Sequence, residues 1–314
     1  MTLPIVLITE PIAAEPLAWI KQRADVRVIE SNSPTDAQLA DANALVVRTY
    51  TQVNQGLLER APNLRVVARA GAGIENIDTT ACRSRGVTVV YTPEANTGAV
   101  AEFVVQTMLA TLRPLVTLDS PLDQSAWTAL RKAAVTEHSC VGSRLGLIGL
   151  GKIGKHVARA ATALGMDVVY TDIEDIPESD RCGARPMETD ELLSTSRVVS
   201  IHVDARPENH HLLDEAQFRL MRSDAILINA ARGMIVNPLA AADYATANPD
   251  ARLILDVHDP EPFGPDYPLL KLPNVTLYPH IGAGTKDAKE QMSWVVRDVM
   301  RVLDGERPHH QVDW

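Results

Sequence analysis

The chain has 314 residues, 46% of them hydrophobic and 22% charged, with a formal net charge of −10 and a pI near 5.4. That length can bury a large core and suits one large or two medium domains, while the acidic balance leaves no overall field that would draw the protein to nucleic acid or anionic lipid. An anionic ligand would therefore need a local cluster of arginines. The cysteines, Cys82, Cys140 and Cys182, are odd in number and share no metal-ligand spacing, which points to reduced thiols and no metal. The start, MTLPIVLITE, lacks a basic region and turns polar too soon for a signal peptide or membrane span, so a cytoplasmic location is expected.

Short apolar runs at Ile5 to Ile8, Val26 to Ile29, Ala44 to Val47, Leu64 to Ala68 and Val87 to Tyr91 alternate with helical stretches at Leu17 to Gln22 and Asp36 to Ala40. This alternation implies a parallel sheet covered on both faces. A long apolar helix is expected from Thr97, or a neighbour acting as its cap, through Glu102, Val105 and Leu109 to about Leu118, and it suits a domain junction. Asp119 to Ser143 has no clear period and reads as a protruding arm.

Arg144 to Asp172 follows, and it carries the strongest local signal. Leu145 to Ile148 suits a buried strand; Gly149-Leu150-Gly151-Lys152-Ile153-Gly154 makes a turn; a helix is expected from Lys155 to Leu164. Gly149 allows the tight turn, Gly151 lets the backbone approach a pyrophosphate, and Gly154 permits close packing of helix on strand. A second apolar run from Asp167 ends at Asp172, about 20 residues past the turn, where a dinucleotide fold places the acceptor for a ribose hydroxyl pair. Asp172 would repel a 2′-phosphate, and Ile173-Glu174-Asp175 provides no arginine to receive one, so the cofactor is read as NAD.

Further strands are expected near Val198 to His202, Ala225 to Asn229, Leu253 to Asp256 and Val275 to Tyr278, completing a six-stranded doubly wound sheet. Helices are expected at Thr189 to Ser194, Asp214 to Met221 and Pro238 to Thr246, and a single helix from Thr285 to Leu303, stopped by Gly305 and Pro308. The first block lacks the glycine turn and the second has it. The fold class is therefore α/β with two doubly wound parallel sheets: a discontinuous substrate domain at 1–96 and 285–314, and a cofactor domain inserted at 97–284 together with the long helix and arm.

Ligands of such sheets bind beyond the carboxyl ends of the strands. Arg232, Glu261 and His280 each follow a strand of the second block there. Singly they would serve as a surface charge, a solvated glutamate and a loop cap. As a set they meet the needs of hydride chemistry on a hydroxy acid, because a guanidinium grips a carboxylate, a histidine moves the hydroxyl proton and a carboxylate orients the histidine. His202, His258 and the pair His210-His211 are rivals for the base, but none lies in a comparable glycine-rich setting; His309-His310 reads as a solvated tail.

From Ile5 to about Pro308 the chain resembles the D-2-hydroxyacid dehydrogenase family. The stretches that carry the likeness are VVRTYTQV (46–53), VVARAGAGIENID (66–78), NTGAVAEF (96–103), GLIGLGKIG (146–154), ILINAARG (226–233), LDVHDPEP (255–262) and YPHIGAGT (278–285). The resemblance implies Arg232, Glu261 and His280 as the catalytic set. To the turn residues and Asp172 it adds His202, Ala230, Arg232, Asp256, His280 and Gly282 near the cofactor. It places Ala72, Gly73 and Asn96 at the substrate cleft and makes the long helix and arm a homodimer contact.

Within the family the likeness is nearest to the D-3-phosphoglycerate dehydrogenase branch, which implies Arg48, Arg69 and, from the arm, Arg131 on a substrate phosphate, beside Arg232 and His280. Arg48 and Arg69 could equally form structural ion pairs at strand ends, and Tyr50 and Trp127 could shape a pocket for glyoxylate or hydroxypyruvate. The expected partner is a small anionic 2-hydroxy or 2-keto acid, with neither nucleic acid nor membrane. Some relatives of this fold act as NAD-sensing corepressors, which keeps a binding role open.

Overall fold

The computed structural model describes residues 3–29, 31–136 and 138–312. The outermost residues of the expected first domain, Glu30 and Glu137 of the expected arm lie outside the described residues. The chain divides into two units, one comprising residues up to Asn96 together with those from Ala283 onward, the other Thr97–Gly282.

In the first unit, β-branched quartets such as IVLI and ALVV favour the pleated conformation and form strands. The order is β1 (Ile5–Ile8), α1 (Ala14–Lys21), β2 (Asp25–Val28), α2 (Asp36–Ala40), β3 (Ala44–Val47), α3 (Gln55–Glu59), β4 (Val66–Arg69), α4 (Thr79–Ser84) and β5 (Thr88–Tyr91). All pairings are parallel, in the order β2-β1-β3-β4-β5, the flavodoxin-like arrangement. The period of two sorts the side chains: Val6, Ile8, Ala44, Val46, Val66 and Ala68 face one core, while Leu7, Leu45, Val47 and Val67 face the other. Both faces are thus covered, as a parallel sheet requires.

The second unit begins with α5 (Thr97–Leu112) and α6 (Gln124–Ala133), then runs β6 (Arg144–Ile148), α7 (Lys152–Ala163), β7 (Asp167–Thr171), β8 (Arg185–Pro186), α8 (Thr189–Thr195), β9 (Val198–Ile201), α9 (Glu215–Leu220), β10 (Ile226–Asn229), α10 (Pro238–Ala247), β11 (Arg252–Leu255) and β12 (Val275–Leu277). Its sheet order is β12-β11-β10-β9-β6-β7-β8, a parallel Rossmann sheet whose direction reverses between β6 and β9. Leu145, Leu147, Ile226 and Ile228 pack on the side of α5 and α7; Val199, Ile201, Leu227 and Leu253 pack under α8, α9 and α10. The first unit closes with α11 (Lys286–Ser293) and α12 (Val296–Leu303).

Four expectations are corrected. The sheet of the second unit has seven strands, because Arg185–Pro186 pairs with Val169 and Tyr170; two residues are too few to show a period. The long helix ends at Leu112, since Arg113 precedes Pro114 and a residue before proline is pushed out of the helical region. The arm holds a helix, capped by Asp123 through the Ala126 N–H at 2.8 Å, with no buried residue to impose a pattern. The closing helix is two helices, interrupted at Trp294 and Val295, where Trp294 packs edge-on against Trp19 at 6.1 Å. The tail is also tied down through its backbone: buried Asp298 accepts the N–H groups of His309 at 2.8 Å and His310 at 3.1 Å.

Candidate active site

In the second unit the glycine turn closes β6 onto α7. Gly149 has φ +95°, a left-handed conformation that side chains rarely adopt. A Cβ on Gly154 would lie 2.4 Å from the Gly149 oxygen, so helix and turn are in contact there. A Cβ on Gly151 would instead enter open space. Gly151 is also the N-cap of α7 and supplies no side-chain acceptor, so the first N–H groups of a twelve-residue helix remain directed at that space. Lys152 is exposed beside it, whereas Ile153 packs toward the core.

The turn opens on a cavity of about 370 Å³ lined by Gly149, Gly151, Asp172, Ile173, Glu174, His202, Val203, Asp204 and Arg206, among others. Asp172 stands on its rim, accepting the Leu150 N–H at 2.6 Å and the Glu174 N–H at 3.0 Å. His202 bonds Ser200 at 3.0 Å, and burial pushes its imidazole down to about 4, so the ring is neutral near pH 7. Backbone donors, an open approach at Gly151 and a carboxylate for a ribose make this cavity fit the pyrophosphate and adenosine of a dinucleotide.

The loops after β10, β11 and β12 are joined to one another in the same unit. Asn229 takes the Ala231 N–H at 3.0 Å and donates to the Arg232 carbonyl at 2.9 Å, which sets the turn that carries Arg232. A Cβ on Gly233 would lie 1.9 Å from the His258 oxygen, so this turn rests directly on the next loop. There the His258 N–H donates to Glu261 at 2.7 Å, and the other Glu261 oxygen accepts from His280 Nδ1 at 2.8 Å. Burial alone would lift the Glu261 carboxyl, but the bonds from His280 and the His258 backbone hold it below the usual carboxylate range. With Nδ1–H donated to Glu261, neutral His280 has an acceptor at Nε2.

His280 has φ +55°, unusual for a side-chain-bearing residue. Its N–H is held by the Asp256 carbonyl at 2.9 Å. The Asp256 carboxylate, 1% exposed, accepts the Ile281 N–H at 2.8 Å and the Gly282 N–H at 2.7 Å. Ala230 is partly buried against the core. The rival histidines have other employment: His258 bonds the Tyr278 carbonyl at 2.8 Å, and His210 stacks on His211.

In the first unit, Arg48 and Arg69 stand at the ends of neighbouring strands, Val47 pairing with Arg69. Arg48 donates to the Pro11 carbonyl at 3.3 Å, and burial lowers its pKa against the opposing pull of Glu10 and Tyr50. The Arg69 side chain lies against Gly71, and Ala72 and Gly73 follow in the partly buried loop. Asn76 ties this loop to the preceding one, donating to the carbonyls of Arg48 at 3.2 Å and Thr51 at 2.7 Å. Asn96 is partly buried at the end of the unit. Arg131 is exposed on α6, in the second unit.

One residue that the sequence did not single out is Glu10. Only 7% exposed, its carboxylate accepts the successive N–H groups of Arg48, Thr49, Tyr50 and Thr51 at 2.9–3.2 Å. It follows β1, beside the reversal of sheet order between β1 and β3. The strand-end rule, applied to the first sheet as it was to the second, points to it. Among the described residues no group of three or more His, Cys, Asp or Glu could hold a metal ion, and no helix is long and apolar enough to cross a membrane.

Comparison with known proteins agrees with this geometry. Residues 105–282 match the family described as D-isomer specific 2-hydroxyacid dehydrogenase, NAD binding domain. The chain is 33% identical over 305 residues to D-3-phosphoglycerate dehydrogenase of Archaeoglobus fulgidus, covering 96% of this chain and 57% of that one. It is 34% identical over 319 residues to glyoxylate reductase of Thermofilum pendens, covering 98% of this chain and 94% of that one. The chain thus spans little more than half the length of the phosphoglycerate dehydrogenases it matches. The crystal structure of TT0316 from Thermus thermophilus superposes with a TM-score of 0.84 at 31% identity, covering 98% of this chain and 100% of that one. On the glycine turn with its acid, the three joined loops and these likenesses, the chain belongs to the D-isomer-specific 2-hydroxyacid dehydrogenases, with the family's NAD-binding domain in its second unit.

Proposed function

We propose that the protein is an NAD-dependent D-2-hydroxyacid dehydrogenase that interconverts a small anionic 2-hydroxy acid and its 2-keto acid. The observation that carries this is the 2.8 Å bond between His280 Nδ1 and Glu261, on a loop fixed by Asp256. NAD, held by the turn at Gly149 to Gly154 and by Asp172, would supply the hydride acceptor for oxidation and the donor for reduction. In oxidation, Nε2 of neutral His280 takes the hydroxyl proton, and Glu261 stabilises the imidazolium that results. Arg232 holds the substrate carboxylate and polarises the forming carbonyl. The first unit is read as the substrate domain, with Arg48, Arg69, Ala72, Gly73 and Asn96 as its candidate substrate residues.

Arg48 and Arg69 at neighbouring strand ends support a phosphorylated substrate of the D-3-phosphoglycerate type. Glu10 favours a second reading, a glyoxylate or hydroxypyruvate reductase, because its carboxylate already occupies the backbone donors of residues 48–51 and partly offsets the charge of Arg48. NADH oxidation with phosphohydroxypyruvate, hydroxypyruvate, glyoxylate and pyruvate separates the two. His280→Ala should lower turnover by about 10²–10⁴ with little change in NADH affinity. Absence of turnover with every acid would leave a corepressor-like binding role; unchanged turnover in the variant would refute the assignment of the base.

We further propose a cytoplasmic homodimer. Its support is the apolar surface of the arm, where Trp127, Val135 and Val141 are exposed and α6 buries nothing. Sedimentation at the monomer mass would refute it.

A further inference from the structure

Ile173-Glu174-Asp175 has no arginine, but an arginine reaches the same cavity from another strand. Arg206, in the loop after β9, lines it together with Asp172, Ile173 and Glu174. Among the described residues lining that cavity it is the sole lysine or arginine. Its guanidinium is held by Asp204: Nε donates to Oδ1 and Nη2 to Oδ2, each at 2.7 Å. This Nε–Nη2 edge is one that grips a phosphate in two-point fashion. Asp204 is itself held by the Asn209 amide, which donates to its Oδ1 at 3.1 Å and to its carbonyl at 2.9 Å, and by the Arg206 N–H at 3.3 Å. The pair is therefore built into one turn.

We propose that Asp204 is a specificity-determining residue for the cofactor, occupying the phosphate-gripping edge of Arg206 so that an adenosine 2′-phosphate finds no unoccupied fork on the cavity rim. The inference rests on the cavity being the NAD site and goes beyond it. Asp172 repels a 2′-phosphate in the way the fold expects; Asp204 withdraws the cation that would otherwise attract one. Glu174 adds a further negative charge to the rim, and neutral His202 adds no positive one. A phosphate carries nearly two negative charges at neutral pH and meets an adverse rim as long as the clamp is closed.

The test is calorimetric and independent of turnover. ADP-ribose and 2′-phospho-ADP-ribose are titrated into the intact protein, Asp204→Ala, Arg206→Ala and the double variant. Asp204→Ala should raise the affinity for the 2′-phosphorylated probe relative to that for ADP-ribose about fivefold, as expected for an exposed charge pair. The gain should vanish in the double variant and shrink as salt is raised. A ratio of the two affinities that moves less than about twofold in Asp204→Ala, or a gain that survives removal of Arg206, overturns the proposal and leaves the NAD site standing. If the unaltered protein binds neither probe, the cofactor reading fails first and this inference with it.

Discussion

Glu10 in the first unit and Asp256 in the second are buried carboxylates at the carboxyl ends of parallel strands, and neither oxygen pair is left open to a ligand alone. Each reaches across to the loop of a neighbouring strand. Glu10 follows β1 and holds the loop after β3; Asp256 follows β11 and holds the loop after β12. The loops differ in what they carry. Glu10 secures a run of four N–H groups beside Arg48, whereas Asp256 secures two just after His280. An acid at a strand end can thus serve the chemistry by satisfying backbone donors that would otherwise be buried without partners.

If that comparison holds, Asp256→Asn has the largest effect. Its amide nitrogen would face a backbone N–H, leaving a buried donor unpaired at a cost of roughly 2–3 kcal/mol. The His280 loop should loosen, lowering turnover about a hundredfold because the base is displaced from its reacting position. Urea unfolding and kcat check this, and a variant with normal kcat would show that the loop holds its shape without Asp256.

Glu10→Gln should act more mildly and on a different constant. Up to three of its four donors keep an amide oxygen within reach, so we expect a loss of about 1–2 kcal/mol in stability. KM for the keto acid should rise severalfold while kcat changes less than about twofold if, as proposed, the loop that Glu10 holds binds the acid and His280 moves the proton. An equal fall in kcat would make the two carboxylates alike and dissolve the distinction.

A third effect separates the units by pH. The Glu10 carboxyl lies below its usual value because the four backbone bonds outweigh the burial that would raise it. Its contribution is present above the unfolded carboxylate pKa and is lost as pH falls through the lower folded value. His202, pushed down to about 4 from 6.5, behaves similarly at higher pH. Its contribution is full above 6.5 and declines as pH drops toward 4. Between pH 6.5 and 4.5, His202→Gln should therefore flatten the stability curve and Glu10→Gln should not. Identical acid limbs for both variants would contradict the assignment.

Much of the second unit was legible in advance. The turn at Gly149 to Gly154 and the acid at Asp172 are read from spacing, since each performs its role close in the chain to the others. Arg232, Glu261 and His280 are candidates because a parallel strand announces its own carboxyl end, and the structure joins the loops that carry them. Glu10 and Arg206 were not found. Glu10 meets its partners 38 to 41 residues away, and Arg206 shares a cavity rim with Asp172 only because β9 and β7 flank β6 in one sheet. The arm helix left no pattern to read, because it buries nothing that could impose a period.

Most strand and helix identities, the nucleotide fingerprint and the strand-end candidates follow from neighbours in the chain, because hydrophobic periodicity and backbone conformational preference act over a few residues. Which acid grips which loop, and which cation reaches the cavity rim, follows from the packing of distant strands. Hydrogen bonds and ion pairs act over a few ångströms of space, and folding alone brings Glu10 to residues 48–51 and Arg206 to the rim beside Asp172.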